Sequence, residues 1–571
     1  MGRDRAMKIR MAQEAKADNP SEAKVGIKTW IAIFSMALSF GPCVGLAFLT
    51  VAAVVVQIAT ELGGQDHDVF GRRMLVIGGQ VTVVIGSIAA VAAQNIGTLI
   101  AAETLIGIGT GFVFVSYAGV PEMLPNKWRS LGLGILESGI AVPWGILSVL
   151  FGNAFFKYAS WRWIFGLSII IEVISIVGTW FSYHPTPRPR GDFDKTRMQQ
   201  LRDVDWIGLF LFTAGLAIAL IGLTWGGTPA YPWNSAGAIA PIVIGFAVLA
   251  IGFAYDFKVA AHPMFPLKLF VMFHRYSVLL VVLFVSGMNF NSMSALLPQG
   301  FLYMFTTDGI EIGALSLPNT LMIGFTGVLA PLIAHKVGYI KWQLVIGMAF
   351  QAVFIGASAA TVYPNHKFAY AFIPAFGVPM FVCVTILSYA VASLHVPHSN
   401  LGVAMGLLGT FRSGGGAVGN AIFNTIFQEK FREFAGEEIT NAAISNGLNP
   451  SDLGIIIPAA IEFNLGNPRA LVNVPGITPE IQDALREAVR EGAGHALKIL
   501  FYITIPFSVI ALICSLFIED PTAYMTNHIQ SAMGQEMAQN RGKRVTTPEE
   551  AQAIEFENVR TVNSEQILVK N

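Results

Sequence analysis

Long apolar runs separated by short polar gaps dominate the chain. A helix that crosses a bilayer needs about 20 consecutive apolar residues. By that rule the pattern predicts spans near residues 30–59, 74–93, 98–118, 131–151, 163–183, 206–225 and 238–255. Six more follow near 277–301, 312–334, 342–361, 368–393, 401–427 and 498–518, which makes thirteen. The first run is too long for the apolar core of a cleaved signal peptide and reads as a first spanning helix. Two polar regions stand apart from the spans. Residues 428–497 contain a helix start at Thr478-Pro479-Glu480, a capping residue followed by proline at the first helical position. Residues 519–571 form a polar tail, expected to be disordered beyond its first stretch.

Composition agrees with this pattern. Of 571 residues, 54% are hydrophobic and 13% charged, against about 25% charged in an ordinary soluble domain. Charges gather at the termini and in the gaps, as a lipid-facing chain requires. Formal net charge is zero, so no nucleic-acid partner is expected. Cys43, Cys383 and Cys514 are scattered among apolar residues without metal-binding spacing. No phosphate-cradling Gly-x-x-x-x-Gly-Lys-Ser/Thr occurs, which argues against direct ATP drive, and nothing suggests an enzyme or a cofactor.

The distribution of Lys and Arg orients the spans. Gaps 94–97, 226–237 and 302–311 have none, whereas 119–130, 184–205, 256–276 and 335–341 are basic. The two sets alternate, so the basic set is assigned to the cytoplasm, with 428–497 outside and 519–571 inside. One conflict remains: the basic tail 1–28 and Arg72-Arg73 both demand the cytoplasmic side, yet a single apolar run separates them.

Several strings carry a family resemblance. Residues 68–73, Asp-Val-Phe-Gly-Arg-Arg, resemble the end of the cytoplasmic signature loop of the major facilitator superfamily. Ser160-Trp161-Arg162-Trp163-Ile164-Phe165, Asp205-Trp206-Ile207-Gly208 and His262-Pro263-Met264-Phe265-Pro266-Leu267 are similar to strings of its fourteen-span drug:proton antiporter group. The run from Gly409 to Gly419, with Glu519-Asp520 and Met525-Thr526-Asn527-His528, resembles the fungal trichothecene efflux pump family, with siderophore transporters as close neighbours.

The resemblance covers about residues 28–530 and implies an all-α fold of two six-helix bundles with an extra pair of helices between them. The N-terminal bundle would be 29–183 with five spans, the loops and linker pair 184–276, and the C-terminal bundle 277–518. Against the family, the second span between Ala59 and Asp68 is absent, which would explain the charge conflict. Glu103 stands where the family often carries Arg, and of the fifth-span antiporter pattern only Gly139, Pro143 and Gly145 remain.

Ionisable residues deep in a span cost about 2.5–3.5 kcal/mol on insertion scales and usually face a cavity. Glu103, Glu137, Glu172 and Arg412 are the candidates for transport and proton coupling. Glu103 shares a helix face with Gly107 and Gly111, and Glu137 one with Gly134, Ala141 and Gly145. Either acid can hold a proton whose affinity a bound substrate changes; equally, either can serve only as an interhelical hydrogen-bond partner. Arg412 either binds an anionic group or pairs with a buried acid. It follows a row of small residues, Gly402, Gly406, Gly409, Ser413, Gly416 and Asn420, that reads as a close helix contact.

Asp68, Gly71, Arg72 and Arg73 resemble a cytoplasmic gating loop; the alternative is that the arginines only anchor topology. Asn289, Asn291, Ser292 and Gln299 make one span unusually polar, as a cavity wall or as interhelical hydrogen bonding. The expected function is proton-coupled secondary efflux of toxic small molecules or secondary metabolites through the plasma membrane, without an obligate protein partner. Siderophore uptake is an alternative, and so is a non-transporting product of a truncated gene model.

Overall fold

The computed structural model describes residues 27–38, 72–114, 116–140, 146–183, 205–227, 231–260, 265, 267–364, 366–396, 401–472, 474, 476–522 and 525. The segment between Ala59 and Asp68 where a second span is expected to be missing, Asp68, Gly71, Gly41-Pro42 and the tail beyond Met525 lie outside the described residues, and of Arg72 only the backbone is described.

The described chain is helical almost throughout. The principal helices are α1 (Ile27–Leu38), α2 (Arg72–Ala92), α3 (Ile96–Val113), α4 (Ser116–Met123), α5 (Arg129–Ile140), α6 (Ile146–Tyr158) and α7 (Arg162–Ser182). They continue as α8 (Trp206–Trp225), α9 (Ala236–Lys258), α10 (Val278–Met304), α11 (Gly309–Val337) and α12 (Ile340–Ala357). The last four are α13 (Met380–His395), α14 (Leu401–Ser445), α15 (Leu453–Asn464) and α16 (Pro479–Leu516). Among the described residues, ten helices are long and apolar enough to cross a bilayer. The other three expected spans are helical where they are described. The 30–59 run is described only as far as Leu38, and 131–151 falls on α5 and α6 either side of 141–145. In α14 the glycines and polar residues dilute the apolar signal.

Family strings act locally as helix-end chemistry. Asp205 caps α8 by accepting from the Gly208 N–H at 2.9 Å. Arg162 donates to the Ala93 and Val91 carbonyls at 2.7 and 3.1 Å, closing the end of α2. Arg275 grips Glu519 with two N–H···O bonds at 2.7 and 3.3 Å, tying the start of α10 to the end of α16.

Helices α1, α2, α3 and α7 pack together with α4 and α5, and α10, α12, α13, α14 and α16 form a second group. Helix α11 packs on α13 of the second group, along α5 of the first and along α6, so it lines the seam between them. The linker pair α8–α9 packs on itself and on α14, where Thr425 donates to the Leu223 carbonyl at 3.2 Å.

Small residues set the tightest approaches. A Cβ on Gly109 would sit 2.6 Å from the Gly79 carbonyl oxygen, and one on Gly134 would overlap Pro331 across the seam. Between α10 and α14, Gly287 faces the Arg412 carbonyl while Gly415 and Gly419 face Phe284 and Met288. These positions lie one residue away from the row read in the sequence. With Gly414, Gly415 and Gly416 adjacent, two helix faces satisfy the spacing and packing selects one.

Residues 428–497 are not an open loop. Helix α14 runs on to Ser445, about 67 Å in all, and α16 starts at Pro479 under its Thr478 cap, about 57 Å. Both exceed the ~30 Å hydrocarbon core. Phe423, Phe427, Phe431, Ala435, Ile439 and Ala443 are buried at steps of four, and Gly492 of α16 closes on Ala435. The result is a helical hairpin capped by α15, with its charges on the outer faces.

Gly415→Leu is expected to cost about 1–3 kcal/mol or more through overpacking against Phe284. Gly414→Ala, with nothing within 4 Å of an added Cβ, is expected to hold or raise the melting temperature. Thermal unfolding followed by size exclusion in detergent distinguishes the two.

Candidate functional site

Four helices bring one ionic cluster together at the seam. Arg412 of α14 donates from Nη1 to Glu137 Oε1 of α5 at 2.8 Å and to the Tyr117 hydroxyl of α4 at 3.2 Å. The Tyr117 hydroxyl in turn donates to the same Glu137 oxygen. Both ionic side chains are buried, with 5% and 2% of their surface exposed. The guanidinium lies 4.9 Å from the Phe381 ring centroid and 5.6 and 5.7 Å from those of Phe114 and Tyr117. Tyr389 of α13 packs on Tyr117 at 4.7 Å, and Phe381 stacks on Phe290 of α10 at 4.1 Å. A charge in such a place persists only when paired and hydrogen-bonded. The acid balances it, the phenol occupies the shared oxygen, and the ring faces supply cation–π attraction. The cluster is a charge-neutral tie between the two helix groups.

Contacts along the seam extend the tie to both ends. At the end with the basic loops, Arg129 is buried at the start of α5 and donates to the Ser393 carbonyl at 2.6 Å. His335 donates from Nδ1 to the Lys127 carbonyl at 2.8 Å and stacks on Trp128 at 4.3 Å. At the opposite end, Lys157 of α6 meets Asp308, the cap of α11, at 3.2 Å. The Ile310 N–H and then Lys157 hold the Asp308 carboxyl below its usual range. Its share of this contact is therefore present at neutral pH and is lost as pH falls through the acidic range.

The other candidates lie apart from this cluster. Glu103 is half-buried on α3 with one carboxylate oxygen buried and unpartnered. Glu172 is fully buried on α7. It shares a face with Ser168, Ser175 and Thr179, which meet Gln80 and Ser87 of α2. Arg73 donates to the Trp180 carbonyl at 2.5 Å and lies over that ring, so it closes the end of α7. Of the polar set on α10, Asn289 donates to Ser508 of α16 at 2.8 Å. Asn291 and Ser292 bond back to their own helix, to the Gly287 and Met288 carbonyls at 3.0 and 2.8 Å. Gln299 is half-buried, and α10 runs through Pro298 unbroken.

Sequence reasoning found Glu137 and Arg412 but missed Tyr117, Tyr389 and the surrounding phenylalanines. The usable signal was a tyrosine within an apolar span, since a buried phenol needs a polar partner.

Residues 45–548 match the model of the fungal trichothecene efflux pump family. A trichothecene efflux pump of Fusarium sporotrichioides is 28% identical over 473 residues, covering 82% of this chain and 78% of that protein. The major-facilitator-type transporter prx5 of Penicillium rubens is 27% identical over 534 residues, covering 89% and 94%. Among solved structures, an auto-inhibited peptide transporter of the POT family aligns with a TM-score of 0.47 at 14% identity, over 86% of this chain and 96% of that one.

Removing one member of the buried pair strands the other charge. Glu137→Leu or Arg412→Met alone is expected to cost about 3–5 kcal/mol, and the double variant distinctly less than the sum. A double-mutant cycle of melting temperatures in detergent checks this; additive losses would mean the pair does not couple.

Proposed function

The chain belongs to the fungal trichothecene efflux pump family, and on that premise we propose that it exports small toxic compounds from the cytoplasm in exchange for protons. The relatives reported above are efflux pumps and transporters, which favours export over siderophore uptake. Trichothecene-like secondary metabolites are the proposed cargo, and the plasma membrane the proposed site.

The observation that carries the coupling is the Glu137–Arg412 pair, which joins α5 to α14 across the seam. Paired, the two charges cancel and hold the helix groups together. A proton on Glu137 removes the attraction and leaves the guanidinium uncompensated in an apolar place. The groups then separate, and the cavity changes the side it faces. Loss of the proton restores the tie. Because protonation and the closed seam exclude each other, a proton gradient biases the direction in which the site opens. The rings around Arg412 supply the apolar wall for cargo.

The competing reading is a static tie with no part in coupling. Glu137→Gln keeps the size and the accepting oxygen but cannot ionise. In proteoliposomes with an imposed pH gradient, this variant is expected to lose uphill accumulation of labelled trichothecene, the ratio falling to near unity. Counterflow exchange of the same compound is expected to persist. Gradient-driven accumulation at the unsubstituted level would eliminate Glu137 as the coupling residue.

A further inference from the structure

Hydroxyls in spanning helices ordinarily satisfy themselves by bonding back to the carbonyl of the preceding turn. Thr110, Thr213, Ser292, Ser316, Thr410 and Ser508 all do so here, at 2.7 to 3.0 Å. Five Ser or Thr hydroxyls among the described residues are instead buried without any partner. Ser130 is on α5. The other four, Ser286, Ser294, Thr385 and Ser388, fall on just two helices, α10 and α13.

Those two helices carry Phe290 and Phe381, the stacked pair beside Arg412. On α13, Thr385 lies four residues from Phe381 and four from Tyr389, and Ser388 lies between. At about 100° per residue, Phe381, Thr385, Ser388 and Tyr389 occupy an arc of about 100°. Phe381 touches Arg412 and Tyr389 touches Tyr117, so this arc faces the seam. On α10, Ser286 and Ser294 flank Phe290 at four residues on each side, on the face that meets Phe381. Ser292, by contrast, bonds back to its own helix, and Asn289 donates from Nδ2 to Ser508 while its Oδ1 is left unpartnered. Ser286, Thr385 and Ser388 are essentially inaccessible, and an unmade hydrogen bond in such a place is a standing cost that a ligand can relieve.

We propose that Ser286, Thr385 and Ser388 are specificity residues that read the oxygen atoms of a neutral, largely apolar substrate lying on the Phe290–Phe381 wall. This rests on the efflux reading above and adds to it the residues that select the cargo by its oxygen atoms. Rings with neutral hydroxyls suit carbonyl, ether or hydroxyl oxygens on an apolar skeleton. An organic cation would gain nothing from the hydroxyls, and in the proposed open state with Glu137 protonated it would be repelled by the uncompensated Arg412. A site built to hydrogen-bond a substrate oxygen also rejects the analogue that lacks it.

Three probes test the assignment on the full-length protein in detergent: a hydroxylated trichothecene, its deoxygenated analogue, and tetraphenylphosphonium. Thr385→Val and the double variant Ser286→Ala/Ser388→Ala are measured for equilibrium binding and melting temperature. Thr385→Val is expected to weaken the hydroxylated compound about tenfold, the worth of one hydrogen bond, and the double variant at least as much, and both to leave its deoxygenated analogue unchanged. Melting temperatures are expected to hold or rise, because an unpaired hydroxyl is being replaced by an apolar group.

Equal weakening of both trichothecenes would overturn the proposal. So would a fall in melting temperature, which would reveal a structural partner or water, and so would tighter binding of the cation than of the hydroxylated compound. In those cases pH-gradient-driven flux in proteoliposomes would leave the efflux reading standing. Absence of both binding and gradient-driven flux for all three probes would remove both.

Discussion

The arrangement depends on one buried ion pair. Arg412 and Glu137 each carry a charge that an apolar bilayer interior penalises, and neither would be stable there alone. Their mutual attraction is strengthened by the same low dielectric that makes the isolated charges costly. The Tyr117 hydroxyl and the faces of Phe114, Phe381 and Tyr117 complete the surroundings of the guanidinium. Four helices are held by this cluster, and two of them belong to each side of the seam.

Close packing gives the tie its leverage. Within each helix group, glycines bring backbones into contact, as Gly79 and Gly109 do between α2 and α3, and Gly287, Gly415 and Gly419 between α10 and α14. Such contacts rely on van der Waals packing rather than on the hydrophobic effect, which has little force between helices already in lipid. They leave little room for internal adjustment, and under the proposed mechanism a change in charge at the seam would be met by movement of one group against the other. Helix α11 forms the seam surface, packed on α5 and α6 with Gly134 against Pro331.

The linker pair and the hairpin both go with α14. Arg432 reaches the Gly227 carbonyl at 3.0 Å and Trp233 reaches Glu429 at 3.0 Å, so α8 and α9 are anchored to the helix that carries Arg412. The hairpin prolongs α14 and α16 well beyond what a bilayer requires. Its buried residues recur every fourth position, which keeps one apolar stripe along the inner face of each helix. That stripe was present in 428–445 but was hidden by the charges interleaved with it, so an average over the segment read it as polar. Periodicity carried the information, and composition concealed it.

Spanning helices were legible because apolar length is a local property: each segment reports its own cost of leaving water, whatever its neighbours do. All thirteen expected regions are helical where they are described, and Asp205 and Thr478 cap helices where their sequence context indicates. The same local cost singled out the acids and the arginine inside the spans. Which acid Arg412 would meet could not be read this way. Glu103, Glu137 and Glu172 all satisfy the burial argument, and the partner lies 275 residues away in sequence. The rotation of α5 and α14 about their axes made that choice, and it brought Tyr117 and Tyr389 to the pair. The polar residues of α10 show the same limit: the sequence marked the helix, and the packing turned Asn289 toward α16 and Phe290 onto Phe381 of α13. By itself the sequence determined that the chain crosses a membrane and which charges lie inside its spans. The tertiary structure alone decided how those charges are paired, because pairing is a contact between distant segments and burial is a property of each one.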